Sequence, residues 1–444
     1  MDLTDEQKYA FKLLNQNKNI FITSKGAGCG KTHLLNSIVS KYKNTKNIAV
    51  TASTGIAAVL INGMTIHSWA GVGLCNKPIH TLYTNIKSKK NIHKRWMDVN
   101  MIIIDEVSLL SASFLDTLEE LARMIRGNEE PFGGIQIALC GDWLQLPTID
   151  SDKYAFEARC WDTCIDDTVY LTQIQRQSDK LFQDILNEIR VGRITKKVKE
   201  VLRSRLNVTL DNRHGITPTK LYALNSNVDK INNRHLSDLM KEKNRDKRHY
   251  KIKWVSNKIS SKKIEDYFTV KTPVVNIHDE RKITDEQITE YIKMCNAVEI
   301  LDLCVDAQVI LLVNLDQTQH LINGSRGVVT GFNDNGLPIV KFLNGITEVI
   351  GYKTWEIEID GRVQGYFEQI PLKLGYATSI HKSQGSTLDY VELDLKNIFE
   401  LSQAYVGLSR VTSLEGLSIT GLDLHKFKVS IKALDFYKKL DSTK

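Results

Sequence analysis

The sequence predicts an α/β fold with parallel sheets, and three features carry that prediction. Short apolar runs alternate with amphipathic stretches from Asn19 onward, a phosphate-binding loop joins the first run to the next helix, and a later run ends in two adjacent carboxylates. Short, nearly continuous apolar strands are those of a sheet covered by helices on both faces.

A first helix is expected over Thr4 to Asn17, where Leu3, Tyr9, Ala10, Leu13 and Leu14 have helical spacing and Thr4 with Gln7 can form a capping box. Then follow a strand at Asn19–Thr23, a helix from Lys31 to about Tyr42, a strand at Asn47–Thr51, a helix from Gly55, and strands at Met101–Ile104 and Ile135–Cys140. Between Trp69 and Trp96 the alternation lapses and Lys77, Lys87, Lys89, Lys90, Lys94 and Arg95 gather, which reads as an inserted subdomain. After Pro147 a second α/β unit begins, with a strand at Val169–Thr172, a helix at Asp179–Val191 and a strand at Lys220–Ala223, and it returns at Leu372–Ser379. The lysine-rich stretch from Lys241 to Lys263 reads as a solvated loop, and Tyr250 and Trp254 within it suit a nucleic-acid surface. From Gln308 to Phe342, β-rich segments broken by Asn323-Gly324 and Asn335-Gly336 read as a small antiparallel barrel.

With 444 residues, 42% of them hydrophobic and 25% charged, the chain has room for about three ordinary globular domains. No apolar run approaches the ~20 residues of a membrane span, and the acidic N-terminus fits no signal or transit peptide. Seven cysteines without framework spacing point to reduced thiols and an intracellular, non-secreted protein. The net charge of +7 leans towards a polyanionic partner.

Ser24-Lys25-Gly26-Ala27-Gly28-Cys29-Gly30-Lys31-Thr32 carries the first chemistry. Its glycines let backbone N–H groups turn towards a phosphate, Lys31 adds a point charge, and the Thr32 hydroxyl suits Mg2+. Lys25 stands where the full pattern has glycine. Asp105 and Glu106 end a buried strand, where the Asp can hold Mg2+ and the Glu can deprotonate an attacking water. Gln145, after a further apolar strand, either senses the γ-phosphate or orders its own turn. Cys160 and Cys164 lack the second pair that zinc requires, and alkylation of Cys29 is expected to obstruct the loop.

The blocks Thr51 to Ala58, Thr65-Ile66-His67-Ser68, Asp105-Glu106, Gly141 to Pro147, Arg176-Gln177, Ile380 to Thr387 and Tyr405 to Arg410 resemble, in order, those of superfamily 1B DNA helicases of the petite integration frequency (PIF) family. RecD-like helicases share much of the plan. The resemblance runs from about Leu3 to about Leu440. It implies two RecA-like domains, the first at 1–170 with a wedge subdomain inserted at about 69–98, the second at 171–235 and 366–444. Residues 236–365 would form an insertion with the basic loop and an SH3-like barrel.

The same resemblance implies an ATP-dependent DNA helicase moving 5′ to 3′ on single-stranded DNA and opening duplex with a 5′ tail. Its cofactors would be ATP and Mg2+, the latter on Thr32 and Asp105. Lys31, Glu106, Gln145, Arg176 and Arg410 would be catalytic, the two arginines reaching the γ-phosphate. Gly26, Ala27, Gly28, Cys29, Gly30, Lys31, Thr32 and Gln384 would bind the nucleotide, and Gln7 would either read adenine or only cap its helix. Thr54, His67, Thr378, Ser379, His381 and Lys382 would line the DNA track, while Trp69 and Trp143 would stack bases or fill the core. Beginning almost at its first motif, the chain is expected to be a compact viral or phage enzyme. A translocase that does not unwind, or a DNA-binding scaffold without hydrolysis, are the alternatives.

Overall fold

The computed structural model describes residues 3–442 except 74, 149–152, 211–215, 225–227, 244–246, 257–291, 293–296, 317, 320 and 360–361. Its first helix, Asp5–Asn15, starts at Thr4, and the capping box with Gln7 is formed in both directions. Strands β1 (Ile20–Ser24), β2 (Ile48–Ala52), β3 (Met64–Thr65), β4 (Met101–Asp105), β5 (Gln136–Cys140) and β6 (Asp167–Leu171) make one parallel sheet in the order β3-β2-β4-β5-β1-β6. β1, β4 and β5 are buried along their whole length, as their apolar runs require. The strand expected near Val169 to open the second unit is β6, which instead pairs with β1 and closes the first sheet.

The region at 69–98 is helical, with helices Ile79–Ser88 and Lys90–Asp98. Their apolar positions Leu82, Ile86, Ile92 and Trp96 join Trp69 and the helix Ala112–Arg126 in the core on one face of the first sheet. Trp69 is 4% exposed and its ring lies 4.7 Å from that of Trp96. Trp143 is fully buried, stacked 5.1 Å from Phe21 and edged by Phe156, Trp161 and Phe436. Neither indole is available to a base, which corrects the stacking expectation. The apolar area of a large aromatic outweighs its polar handle when the sheet face offers a place for it.

Strand β7 (Thr219–Tyr222) starts the second parallel sheet. Next comes the insertion, whose strands are β8 (Arg248–Lys251), β9 (Lys253–Ser256), β10 (Ile300–Leu303), β11 (Gln308–Leu311), β12 (Arg326–Phe332), β13 (Pro338–Phe342), β14 (Thr347–Val349), β15 (Lys353–Ile359), β16 (Arg362–Gln369) and β17 (Leu372–Leu374). They form antiparallel sheets in the orders β14-β13-β12-β11-β17, β15-β16-β9 and β10-β8. Both Asn-Gly turns fall where expected, with Gly324 at φ 95° and Gly336 at φ 74°, conformations that a Cβ would strain. The pairing among described residues leaves the largest of these sheets open, with β14 and β17 at its ends, so strand order gives no closed barrel.

The basic stretch departs from expectation. Residues 248–251 and 253–256 are paired in β8 and β9, and Tyr250 is buried in the insertion's core with its hydroxyl donating to Gly336 O at 2.6 Å. Arg245, Lys258, Lys262 and Lys263 lie outside the described residues, as does the Trp254 side chain.

The run Leu372–Ser379 splits after β17, and only β18 (Ala377–Ser379) joins β7, β19 (Val391–Leu395) and β20 (Leu417–Leu422) in the parallel order β18-β7-β19-β20. The last helix, Ile431–Ser442, leaves the second unit and packs Ala433, Phe436 and Tyr437 against Phe21, Trp143 and Trp161 of the first. No helix among the described residues is long and apolar enough to cross a membrane.

Candidate nucleotide site and nucleic-acid face

The loop from Lys25 to Gly30 leaves the C-terminal end of β1, flanked by β5 and β6, and turns into the helix Lys31–Tyr42. Ligands of parallel sheets bind at this end. Gly28 and Gly30 both sit at φ 83°, which only glycine adopts without cost. Lys31 Nζ donates to Ser24 Oγ at 3.0 Å, and Ser24 Oγ donates to Gly26 O at 2.7 Å, so the cation is held over the loop. Gly26 and Ala27 are buried, Thr32 is half-buried on the first helical turn, and the departing Lys25 is exposed. Cys29 is buried and burial raises its thiol pKa, which keeps it a poor nucleophile. Gln7 accepts from Thr4 N through Oε1 at 3.1 Å, while its Nε2 lies 3.5 Å from where a Cβ on Gly30 would stand. The cap and a place beside the loop are therefore compatible.

β4 delivers the carboxylates. Asp105 is 6% exposed, accepts from Glu106 N at 2.8 Å, and is pushed up to about 7 by burial and then by the charge of Glu106. Glu106 has φ 51°, an uncommon left-handed conformation for a non-glycine residue, and Ser53 Oγ secures its carbonyl at 2.8 Å. A buried carboxylate with an anionic neighbour is poorly compensated, and a divalent cation would relieve it. The Thr32 hydroxyl, on the first turn of the helix that follows the loop, is an oxygen donor of the kind Mg2+ takes, so the residue types fit that ion. Gln145 is 4% exposed and its Nε2 donates to Asp142 Oδ2 at 3.3 Å. Here its amide serves its own turn.

The second unit faces this loop. Gln384 Nε2 donates to Glu106 Oε2 at 3.0 Å. Arg176 donates to Thr387 Oγ1 and Ser409 O, each at 3.0 Å, and its Cβ lies 2.5 Å from where a Cβ on Gly28 would be. Arg410, 2% exposed at the end of the helix Gln403–Ser409, donates to Val406 O at 3.0 Å and Ser409 Oγ at 2.9 Å. Burial lowers the pKa of both, that of Arg176 to about 9 with a further push from Arg410. The hydrogen bonds of both go to hydroxyls and carbonyls. A half-buried and a buried guanidinium, neither hydrogen-bonded to a carboxylate among the described residues, suit an anion carrying several charges.

The expected DNA residues divide. Thr378 and Lys382 line one cleft with Ile56 and Leu60 of the first unit, Gly324 of the insertion, and Lys373. Ser379 is fully buried behind it. His381 Nε2 is bound to Glu400 Oε2 at 2.7 Å. His67 stacks 4.2 Å from the Phe114 ring, and burial lowers its pKa, favouring the neutral imidazole. Thr54 Oγ1 accepts from Ala57 N at 3.3 Å and caps the next helix.

The profile of PIF1-like helicases matches residues 2–200, and that of the DNA helicase Pif1 2B domain matches residues 292–332. The Pif1 helicase from Candida albicans is 33% identical, with a TM-score of 0.76 over 99% of this chain and 100% of that one. The chain belongs to the PIF1-like helicase family. The ATP-dependent DNA helicase PIF1 of Danio rerio is 37% identical over 99% of this chain, which spans 64% of that relative's length. A Bacteroides Pif1 helicase in complex with ADP-AlF3 and ssDNA is 27% identical, with a TM-score of 0.64 over 100% of this chain.

For this PIF1-like chain, sequence reasoning missed a buried hub around Asp142. Its carboxylate pairs with Arg190 at 2.7 Å, with 5% and 0% side-chain exposure, and accepts from Tyr437 at 3.0 Å and Leu144 N at 3.1 Å. Burial tends to raise its pKa, but Arg190 and Lys31 outweigh that and the net shift is downward. The Arg190 guanidinium also lies 4.7 Å from the Tyr437 ring centroid. An arginine within an amphipathic helix carries no local sign of burial, so the only signal was its position on the apolar side with Phe182, Ile185 and Ile189.

Proposed function

We propose that this protein is an ATP-dependent DNA helicase that hydrolyses ATP between two RecA-like domains, moves 5′ to 3′ on single-stranded DNA and opens duplex with a 5′ tail. The observation that carries the reading is the Gln384–Glu106 hydrogen bond, which puts a second-unit amide on the first unit's water-activating carboxylate. It is supported by the half-buried Arg176 and the buried Arg410 beside the loop and by the named helicases that the chain resembles.

In this mechanism the loop N–H groups and Lys31 hold the β- and γ-phosphates, and Thr32 and Asp105 would hold Mg2+, which would supply charge neutralisation. Glu106 takes a proton from the attacking water. Arg176 and Arg410 turn from their carbonyl and hydroxyl partners towards the transferring phosphoryl oxygens, where a fixed fork and permanent charge stabilise the transition state. Gln384, on the Glu106 carboxylate, and Gln145, once released from its contact with Asp142, are the amides that register hydrolysis, and Gln7 contributes to adenine recognition. Thr378 and Lys382 grip phosphates in the cleft between the units, and cleft opening after hydrolysis shifts one grip past the other. The helical region at 69–98 acts as the wedge, and the insertion helps hold the strand. Since its track is DNA, we place the activity inside the cell, in nucleus, cytoplasm or a viral replication compartment.

The test is ATP hydrolysis with and without single-stranded DNA. DNA should stimulate the wild type, Lys31→Ala should be inactive, and Glu106→Gln should bind ATP and DNA while losing turnover by about 100-fold or more. Wild-type rates in Glu106→Gln would refute the assignment.

A further inference from the structure

Two second-unit side chains hold the backbone of the phosphate loop itself. The Ala27 N–H donates to the Tyr405 hydroxyl at 2.7 Å, and Arg190 Nη2 donates to Ser24 O at 3.0 Å. Both side chains are anchored in the second unit's core, Tyr405 on the helix Gln403–Ser409 and Arg190 after Phe182, Ile185 and Ile189. Tyr405 is 2% exposed, and its oxygen lies 3.5 Å from where a Cβ on Gly26 would stand. A Cβ at position 26 would stand in ordinary van der Waals contact with that oxygen.

The placement has a consequence for catalysis. Tyr405 and Arg410 belong to one helical segment, five positions apart, so whatever fixes Tyr405 against the loop also fixes the depth at which Arg410 stands. The hydroxyl also satisfies a buried backbone N–H that would otherwise lack a partner, at the expense of its own freedom. Arg190 reinforces the seam from the other side, dividing one nitrogen between Ser24 O and the Asp142 carboxylate at 2.7 Å.

We propose that Tyr405 and Arg190 form a latch between the units: they are positioning residues that read the phosphate-loop backbone and set the arginine-bearing helix against the nucleotide. The latch acts on turnover more than on nucleotide capture, because the loop's own N–H groups and Lys31 bind the phosphates whether or not the arginines are in place. This rests on the ATP-hydrolysis reading above.

The test is steady-state ATP hydrolysis at saturating single-stranded DNA by Tyr405→Phe, with its thermal melt alongside. Phenylalanine keeps the ring and removes the hydroxyl. The expected result is a fall in kcat of about fivefold with KM for ATP within about twofold and an essentially unchanged melting temperature, the scale of one lost hydrogen bond. A wild-type kcat overturns the latch, and so does a loss of activity that merely follows a lowered melting temperature. Absence of DNA-stimulated hydrolysis in the wild type would instead overturn the ATPase reading itself, and the latch with it.

Discussion

Lys373 shows how a single side chain acquires a task from its surroundings. It is half-buried in the cleft that holds Thr378 and Lys382, and its pKa is lowered to about 8 by burial and by repulsion from Lys382, against a weaker pull from Asp229. Below pH 8 it is charged and, on the proposed track, would attract a strand phosphate; above pH 8 it is neutral. Affinity for labelled oligothymidine, measured by anisotropy, should therefore fall between pH 7 and 9 in the wild type, and less so in Lys373→Met. The variant should also lose about one unit of salt slope, the signature of one phosphate contact. At this scale the sequence was most legible for groups whose chemistry is local. Gly28, Gly30 and Lys31 announce a phosphate loop by order alone, and Asp105-Glu106 by standing at a strand end. Trp69 and Trp143 did not reveal their fate, because an indole's spacing is the same in a core and in a base platform.

Among elements, the regular ones were readable from period and caps, and their partners were not. The capping box at Thr4 and Gln7, the helix Lys31–Tyr42 and strands β1, β4 and β5 follow from short-range pattern. The attachment of β6 to the first sheet and of the last helix to the first core depends on contacts across hundreds of residues, such as Tyr437 to Thr23 at 2.6 Å. That helix is tied down by the hub, since Tyr437 also accepts from Trp143 N at 3.2 Å and donates to Asp142. Asp142→Asn would leave the Arg190 guanidinium buried without its counter-charge. The expected cost is about 3–5 kcal/mol of unfolding free energy, measured by urea denaturation, and a loss below 1 kcal/mol would contradict a buried ion pair at the hub.

For the whole molecule, β4 and the phosphate loop lie on one unit and Arg176, Gln384 and Arg410 on the other, so the proposed ATP site is the space between them. The interrupted α/β rhythm announced a second parallel sheet but put β6 in the wrong one, and antiparallel pairing was legible at 308–342 while the division of the insertion into three sheets was not. Turn residues mark where strands end and not which strands pair. The central claim is that cleft closure drives directional movement on DNA. The most direct measurement compares ATP-driven strand separation on duplexes carrying a 5′ tail or a 3′ tail, with Lys31→Ala as the control. The proposed helicase opens the 5′-tailed duplex only, and the control opens neither. Equal unwinding of both duplexes, or ATP hydrolysis with no strand separation on either, would contradict it.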